Sequence, residues 1–422
     1  MKPHEDQLQL PLDLASGAAG DFRTFVAGFD AFGTETRQEA LRLPGCPEVP
    51  VFINEFWTAK QRAAHSLHEV SYRACFKPQL PRFFIDRLTS PGAVVYDPFL
   101  GRGTTLLEAA FMGRIPWGCD INPLSAILVR PRLAPPKDAD LLKRIKELDL
   151  SGPAGKGPDE LLVFYHPKVL QELCWLRGYF ARRIEDGTQD GADDFVQMVA
   201  TNRLTGHSPG FFSVYSMPPN QAVSVKSQTR INQRRGQSPP VRDIRGILMK
   251  KGLQLLQDLT DEQRAALQGV SRRSRILTGS CDSTPQLPDK SVDLVVTSPP
   301  FLAEVDYRTD NWLRCWFNGI DQDSVHLWML KKPDAWQNKM RGVLAELGRV
   351  LKPDGRIAFE VGEVPKLNCG LENFVIPAGI QAGLVPELVL INEQDFTKTS
   401  NCWGVSNKKL GTNTNRIVLF RK

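Results

Sequence analysis

Two short stretches combine residue types suited to group transfer. In VVTSPPF, Val295–Phe301, an apolar β-branched run ends in Ser298, Pro299, Pro300 and Phe301. Each proline ring fixes its own φ near about −65° and removes a donor, so the Ser-Pro-Pro corner is stiff before any ligand arrives. The second stretch, VVYDPFLGRGTTLLEAAFMG, passes from a strand-like run through a glycine turn into a helical pattern. Gly101 and Gly103 let the backbone turn tightly and approach a ligand, and Thr104 and Thr105 fall where a helix start offers free N–H groups. No lysine follows the glycines, which excludes a Walker loop, and the third glycine of the dinucleotide fingerprint is missing. Seventeen residues after Gly103 stands Asp120, at the end of the next strand-like run. A carboxylate there can accept hydrogen bonds from ribose hydroxyls, so the pair points to an adenosine-containing cofactor in a crevice at the strand ends.

The elements that must hold these stretches are legible as short β-branched runs bounded by turn residues. They fall at Ala93–Asp97, Trp117–Ile121, Arg275–Cys281, Val292–Ser298, Arg356–Gly362, Leu384–Ile391 and Arg416–Arg421, seven candidate strands. Helical patterns alternate with them, so the fold class expected is α/β, a mostly parallel doubly wound sheet. About 150 residues between the second and third runs fit no single crossover. They read as helices at Ala139–Leu148, Pro167–Arg183, Ala192–Asn202, Ile247–Asp258 and Asp261–Gly269, with a polar, strand-poor stretch from Thr205 to Pro240. The expected organisation is an arm over 1–48, a first part of the sheet domain over 49–134, a large helical and irregular insertion over 135–274, and the second part over 275–422.

Composition narrows the classes. The chain has 422 residues with 41% hydrophobic content, enough for a sizeable core. Its apolar runs are too short to span a membrane and the first thirty residues lack an apolar leader core, so a soluble cytoplasmic protein is expected. Eight cysteines occur with no C-x-x-C pair, and His65 and His68 have no accompanying ligand cluster, so neither a metal site nor a disulfide framework is expected. The charge is uneven. Thr201–Arg275 holds thirteen Lys and Arg against four Asp and Glu, a local +9 in a chain of net +6, which leaves the remainder at −3. A basic segment on a slightly acidic protein is the footprint of a polyanion partner.

DPFLGRGTT followed by TSPPF resembles the amino-methyltransferases, enzymes that use S-adenosylmethionine to methylate exocyclic amines of DNA bases. The Ser-Pro-Pro-aromatic form looks like the cytosine-N4 members, whereas adenine-N6 members more usually carry Asp-Pro-Pro-Tyr. The resemblance covers Tyr72 to about Asn122 and Ile276 to Lys422. It implies a Rossmann-like, seven-stranded class I methyltransferase sheet and S-adenosylmethionine as cofactor. Duplex DNA is the implied partner, with a cognate restriction endonuclease as a further one. Residue by residue, it implies that Tyr72, Lys77 and Pro78 close over the methionine end of the cofactor. Asp97, Phe99, Gly101, Gly103, Thr104 and Thr105 match the cofactor loop, Asp120 the ribose carboxylate, and Asp282 the acid near the adenine amine.

Cytosine's exocyclic nitrogen is a poor nucleophile because its lone pair is delocalised into the ring. Acceptors that draw on its hydrogens pull it toward tetrahedral geometry, and the resemblance assigns this to the Ser298 hydroxyl and the Pro299 carbonyl, with Pro300 stiffening the corner. Phe301 would stack on a base extruded from the duplex. Methylation at cytosine carbon 5 would need a nucleophilic cysteine, normally after proline, and the chain has no Pro-Cys dipeptide. Asp306 and Tyr307 follow soon after and are further candidates for the base pocket, while Trp312 and Trp316 read as core. Within the insertion, Lys226, Arg230, Arg234 and Arg235 interleave with Phe211, Phe212 and Tyr215 and with amide side chains, a composition suited to DNA contact. An insertion before RILTGSCDS departs from the commonest arrangements of this family, which leaves open whether it is the whole recognition region. Adenine-N6 methylation, RNA amine methylation and a catalytically silent DNA-binding protein are the competing readings.

Overall fold

The computed structural model describes residues 19–57, 64–302, 306–364, 369–393 and 414–422. Its strands are β1 (Arg37–Leu41), β2 (Val49–Asn54), β3 (Val94–Asp97), β4 (Ile115–Asp120), β5 (Arg275–Thr278), β6 (Val292–Thr297), β7 (Leu351–Val361), β8 (Glu363–Val364), β9 (Cys369–Gly370), β10 (Val385–Glu393) and β11 (Thr414–Arg421). Nine of them form one mixed sheet in the order β1-β2-β10-β11-β7-β6-β3-β4-β5, and β8 pairs with β9 separately. All seven runs read from the sequence are strands of this sheet. The expected count of seven is nonetheless corrected to nine, because β2 adds in parallel to β10 and β1 closes the edge against β2. Both lie in or beside the stretch read as an arm. β1, Arg-Gln-Glu-Ala-Leu, is largely exposed and charged, as suits an edge strand, and so carries no apolar alternation to betray it. Residues 1–18 of that arm fall outside the described residues.

The central strands alternate strictly between two apolar faces. Val295, Ile357 and Phe359 point into a cluster with Trp336, Met340 and Leu344, whereas Leu294, Val296 and Ala358 join Phe83, Phe84 and Ala109 on the other side. The helices that cover the sheet are α1 (Ala19–Ala27), α2 (Gln79–Leu88), α3 (Thr104–Phe111) and α4 (Leu124–Leu133) before the insertion. After it come α11 (Tyr307–Phe317), α12 (Pro333–Val350) and α13 (Glu372–Gln381). The insertion supplies α5 (Asp138–Glu147), α6 (Pro167–Glu185), α7 (Gly191–Arg203), α8 (Val225–Arg235), α9 (Ile244–Leu256) and α10 (Asp261–Ser271). Five of these six match the helical readings; α8 lies inside the stretch read as irregular. The insertion helices share one core with Leu106 and Leu107 of α3 and Leu124 and Leu128 of α4, with α10 against the glycine-turn helix α3 and α7 against α4.

Strand order reverses at β3. From β3 the chain proceeds outward through β4 and β5, then returns to place β6 on the other flank of β3. Such a reversal leaves a crevice beyond the carboxyl ends of the parallel strands. The glycine turn follows β3 and the Ser-Pro-Pro corner follows β6, so both stretches meet in that crevice.

Candidate active site

β3 delivers the chain into a turn that only glycine can make. Gly101 and Gly103 have φ of +49° and +73°, in the left-handed region. A Cβ on Gly103 would come within 2.4 Å of Val129 Cγ2 on α4, so the turn also needs the missing side chain to pack. Gly103→Ala combines both penalties and should lower stability by about 2–3 kcal/mol, measurable as a reduced urea midpoint with unchanged m. The turn is fastened to its neighbours at three points. Leu100 N–H donates to the Cys119 carbonyl at 3.0 Å. The Thr105 hydroxyl donates to the Val296 carbonyl at 3.0 Å, and the Thr297 hydroxyl donates to Asp97 Oδ1 at 2.6 Å. Thus Asp97 and Thr105 tie the glycine turn to β6, the strand that carries Ser298.

At the end of β4, Asp120 receives the Gly101 N–H on Oδ2 at 2.8 Å and the Asn122 N–H on Oδ1 at 2.9 Å. Burial raises its pKa and those two N–H groups oppose the rise. Each oxygen keeps a lone pair for a further donor. Around it the cavity wall is apolar, formed by Phe99, Ile121, Cys281 and Trp328, and Phe99 meets Trp328 edge-on at 6.1 Å. A carboxylate among flat apolar walls suits a nucleoside, with the ribose on Asp120 and the ring between the side chains.

Ser298, Pro300 and Phe301 line the same cavity. Trp336, buried on α12, donates its indole N–H to the Pro300 carbonyl at 2.9 Å and so pins the corner. The Phe301 ring lies against Gly362, where a Cβ would come within 2.8 Å of it. Behind Ser298 sits Glu360, buried in β7, which accepts the Asn415 amide at 2.5 Å and a hydrogen bond from the Ser298 side chain. Burial pushes the Glu360 carboxyl up to about 7, against the pull of Asn415 and Ser298. Burial likewise pushes Asp97 up to about 7, against hydrogen bonds from the Thr297 hydroxyl and the Phe99 N–H.

Of the residues singled out from sequence, Tyr72, Asp97, Phe99, Gly101, Thr104, Asp120, Ser298, Pro300, Phe301 and Tyr307 line this one cavity. Tyr72 and Tyr307 stack across it at 6.4 Å. Gly103, Thr105 and Pro299 lie behind the wall and shape it. Pro78 is the residue before α2, and Lys77 beside it is half-buried and likewise away from the wall. Asp282 is drawn elsewhere: Lys339 Nζ lies 2.5 Å from Oδ2 and the Ser280 hydroxyl binds Oδ1. Asp306 caps α11 through the Thr309 N–H at 3.0 Å. Trp312 and Trp316 pack against the core, as read. Missed from sequence were Glu360, Trp336 and the wall from His326 to Lys331, none of which carries a motif. A carboxylate inside the apolar strand RIAFEVG was the available signal for Glu360.

Among the described residues, no group of three or more His, Cys, Asp or Glu could hold a metal ion, and no helix is long and apolar enough to cross a membrane.

Comparison with known proteins bears on the class of this site. Residues 35–126 match the N6_N4_Mtase family model, described as DNA methylase. Together with the relatives that follow, this match supports the DNA amino-methyltransferase family. The chain is 23% identical over 319 residues to the type II methyltransferase M.BsoBI of Geobacillus stearothermophilus, covering 66% of this chain and 58% of that protein. It is 34% identical over 86 residues to the type II methyltransferase M.MjaII of Methanocaldococcus jannaschii, covering 20% and 16% of the two chains. With M.MvaI of Kocuria varians, also a type II methyltransferase, identity is 31% over 118 residues, covering 27% and 24%. The chain therefore matches just over half the length of the first relative and about a quarter or less of the other two. The family match supports S-adenosylmethionine as the cofactor, and the carboxylate and apolar walls of the cavity fit its nucleoside.

Proposed function

We propose that the chain is a DNA methyltransferase that transfers a methyl group from S-adenosylmethionine to the exocyclic N4 amine of a cytosine extruded from the duplex. The observation that carries this reading is that the glycine turn with Asp120 and the Ser298 corner wall a single cavity. Asp120 would hold the ribose hydroxyls, with Phe99 and Ile121 against the purine and Tyr72 over the glycine turn. When bound, the cofactor supplies a methyl group on a positively charged sulfur.

The protein's own groups then act on the base. Phe301, set by Gly362, stacks on the extruded ring and offsets part of the roughly few kcal/mol that extrusion costs. Ser298 Oγ and the Pro299 carbonyl accept the two amine hydrogens and turn the nitrogen lone pair out of the ring, and their fixed positions mean no reorganisation is needed at the moment of reaction. The new N–C bond forms as the C–S bond breaks, and the nitrogen then releases one proton. Ser298, itself hydrogen-bonded to Glu360, offers that proton a path to the buried carboxylate. The insertion is read as the target-recognition region, and the cell's DNA places the protein in the cytoplasm.

Nucleoside mass analysis of DNA from a host expressing the chain tests the base assignment. N4-methylcytosine is expected. N6-methyladenine instead would keep the enzyme class and overturn the choice of base, and transfer to structured RNA but not duplex DNA would overturn the substrate.

A further inference from the structure

The stretch expected to be irregular contains α8, and its two sides differ sharply. Ser224 caps the start by accepting the Ser227 N–H at 3.2 Å, and Gly236 at φ +57° closes the end. The inner side is fastened by amides. Gln228, fully buried, donates to the Tyr215 carbonyl at 3.0 Å and to Asn232 Oδ1 at 2.8 Å, while Asn232 donates to the Val163 carbonyl at 2.7 Å. Gln237 donates to the same two acceptors at 2.9 and 2.8 Å. Arg235 is folded back over the Tyr215 ring, 3.8 Å from its centroid. The outer side is cationic. Lys226, Arg230 and Arg234 recur every four residues, within a sector of about 80°, and are exposed beside Gln233. The helix has no acidic residue, and none of these three cations has an ion-pair partner among the described residues, unlike Arg144, Arg183 and Arg349.

The position of α8 is set by the chain that leads into it. Residues 219–223 run along α11: Arg314 donates to the Pro219 carbonyl at 2.6 Å, Ala222 N–H to the Asp310 carbonyl at 3.0 Å, and the Trp312 indole to the Val223 carbonyl at 3.2 Å. Arg73, a residue of the cavity wall, donates to Gln221 Oε1 at 2.5 Å. Ser224, the cap, is the third residue after Gln221, so α8 starts within roughly 10 Å of that anchor. Its eleven residues span about 16 Å, and a helix about 10–12 Å across fits a major groove about 12 Å wide.

Resting on the methyltransferase reading, we propose that α8 is a recognition helix that enters the major groove beside the extruded cytosine. Arg230 and Arg234 read guanine edges there, and Lys226 contacts the backbone. Nonspecific charge alone would not need a helix held by a buried amide knot, whereas bidentate arginine–guanine pairing needs the fork held in register. The methylated motif accordingly contains guanine within a few base pairs of the target.

The test uses the full chain and the variants Arg230→Ala, Arg234→Ala and their combination. Binding is followed by fluorescence anisotropy across salt on two short duplexes, one with the motif mapped in host DNA and one scrambled. Calorimetry with S-adenosylmethionine and thermal melting check that the variants fold. Each arginine removed is expected to reduce the preference for the motif duplex by roughly 10- to 100-fold, and to relax one guanine position in the mapped motif. Unchanged preference in the double variant overturns the proposal. So does an equal loss on both duplexes with the salt slope reduced by about two, which would make α8 a phosphate contact only. A parent chain that binds duplex and the cofactor but transfers no methyl group overturns the proposed function, and the preference of α8 is then read on the duplex sequence that the parent chain selects from a random pool.

Discussion

Ser298→Ala is expected to reduce methyl transfer by at least about 10²- to 10³-fold while S-adenosylmethionine binds as tightly as to the parent chain. Ser298 follows β6 and Asp120 ends β4, with β3 between them, so loss of the hydroxyl removes an acceptor for the target amine without touching the cofactor's carboxylate. The stiff corner remains, because the Trp336 indole still holds the Pro300 carbonyl. A truncated acceptor therefore leaves the geometry and removes the pull on the amine hydrogen. Single-turnover methylation with labelled cofactor, beside calorimetric titration of the same samples, separates the two effects. Parallel loss of binding and transfer would instead give Ser298 a merely structural role.

Glu360→Gln is the second large effect, on the order of 10²-fold in kcat, and it should change the shape of the pH profile. Burial raises the Glu360 carboxyl to about 7 from its ordinary 4.5. A raised acid contributes stability that is fully present below about pH 4.5 and is lost as pH rises through about 7, so the folded protein is working against itself to ionise this group. What the ionised form provides is an acceptor for the Ser298 hydroxyl hydrogen, which leaves the Ser298 lone pairs facing the amine. Protonated Glu360 can no longer take up the proton that the amine releases, so transfer should climb as pH rises through about 7. The amide in Glu360→Gln can still accept from Ser298 but carries no titrating charge. It should flatten the rise, and it should also remove the accompanying fall in stability. Asp97, at the end of β3 on the far side of β6, is likewise pushed up to about 7, and Asp97→Asn is the companion variant. A wild-type pH step surviving in Glu360→Gln but absent from Asp97→Asn would transfer the role to Asp97.

What could be read from the sequence follows the physics of each element. Six of the seven strands read from the sequence are interior and announce themselves through β-branched apolar runs, because burial on both faces demands them, whereas β5 lies at the sheet edge. β1 and β2 do not: one is charged and exposed, and the other contains Pro50. α8 was hidden for a related reason. Its buried face is made of Gln228 and Asn232, not of leucines, so no apolar stripe marks it, and its charged face resembles a solvated linker. Asp120 stands in a motif whose spacing points to a cofactor crevice, and the family resemblance implied that Ser298 shares it. Glu360 and Trp336 reach Ser298 and Pro300 only through the register of β7 beside β6 and the packing of α12, contacts across dozens of residues that local patterns do not encode.

The central claim is that the glycine turn and the Ser-Pro-Pro corner bring a methyl donor and a nucleobase amine together in one cavity. A crystal structure with S-adenosylhomocysteine and a duplex bearing the mapped motif tests it most directly. The ribose hydroxyls should lie on Asp120, and an extruded cytosine should stack on Phe301. Its exocyclic nitrogen should be within hydrogen-bond distance of Ser298 Oγ and should face the cofactor sulfur. Cofactor bound away from Asp120, or an extruded base whose amine points away from Ser298, would contradict the account.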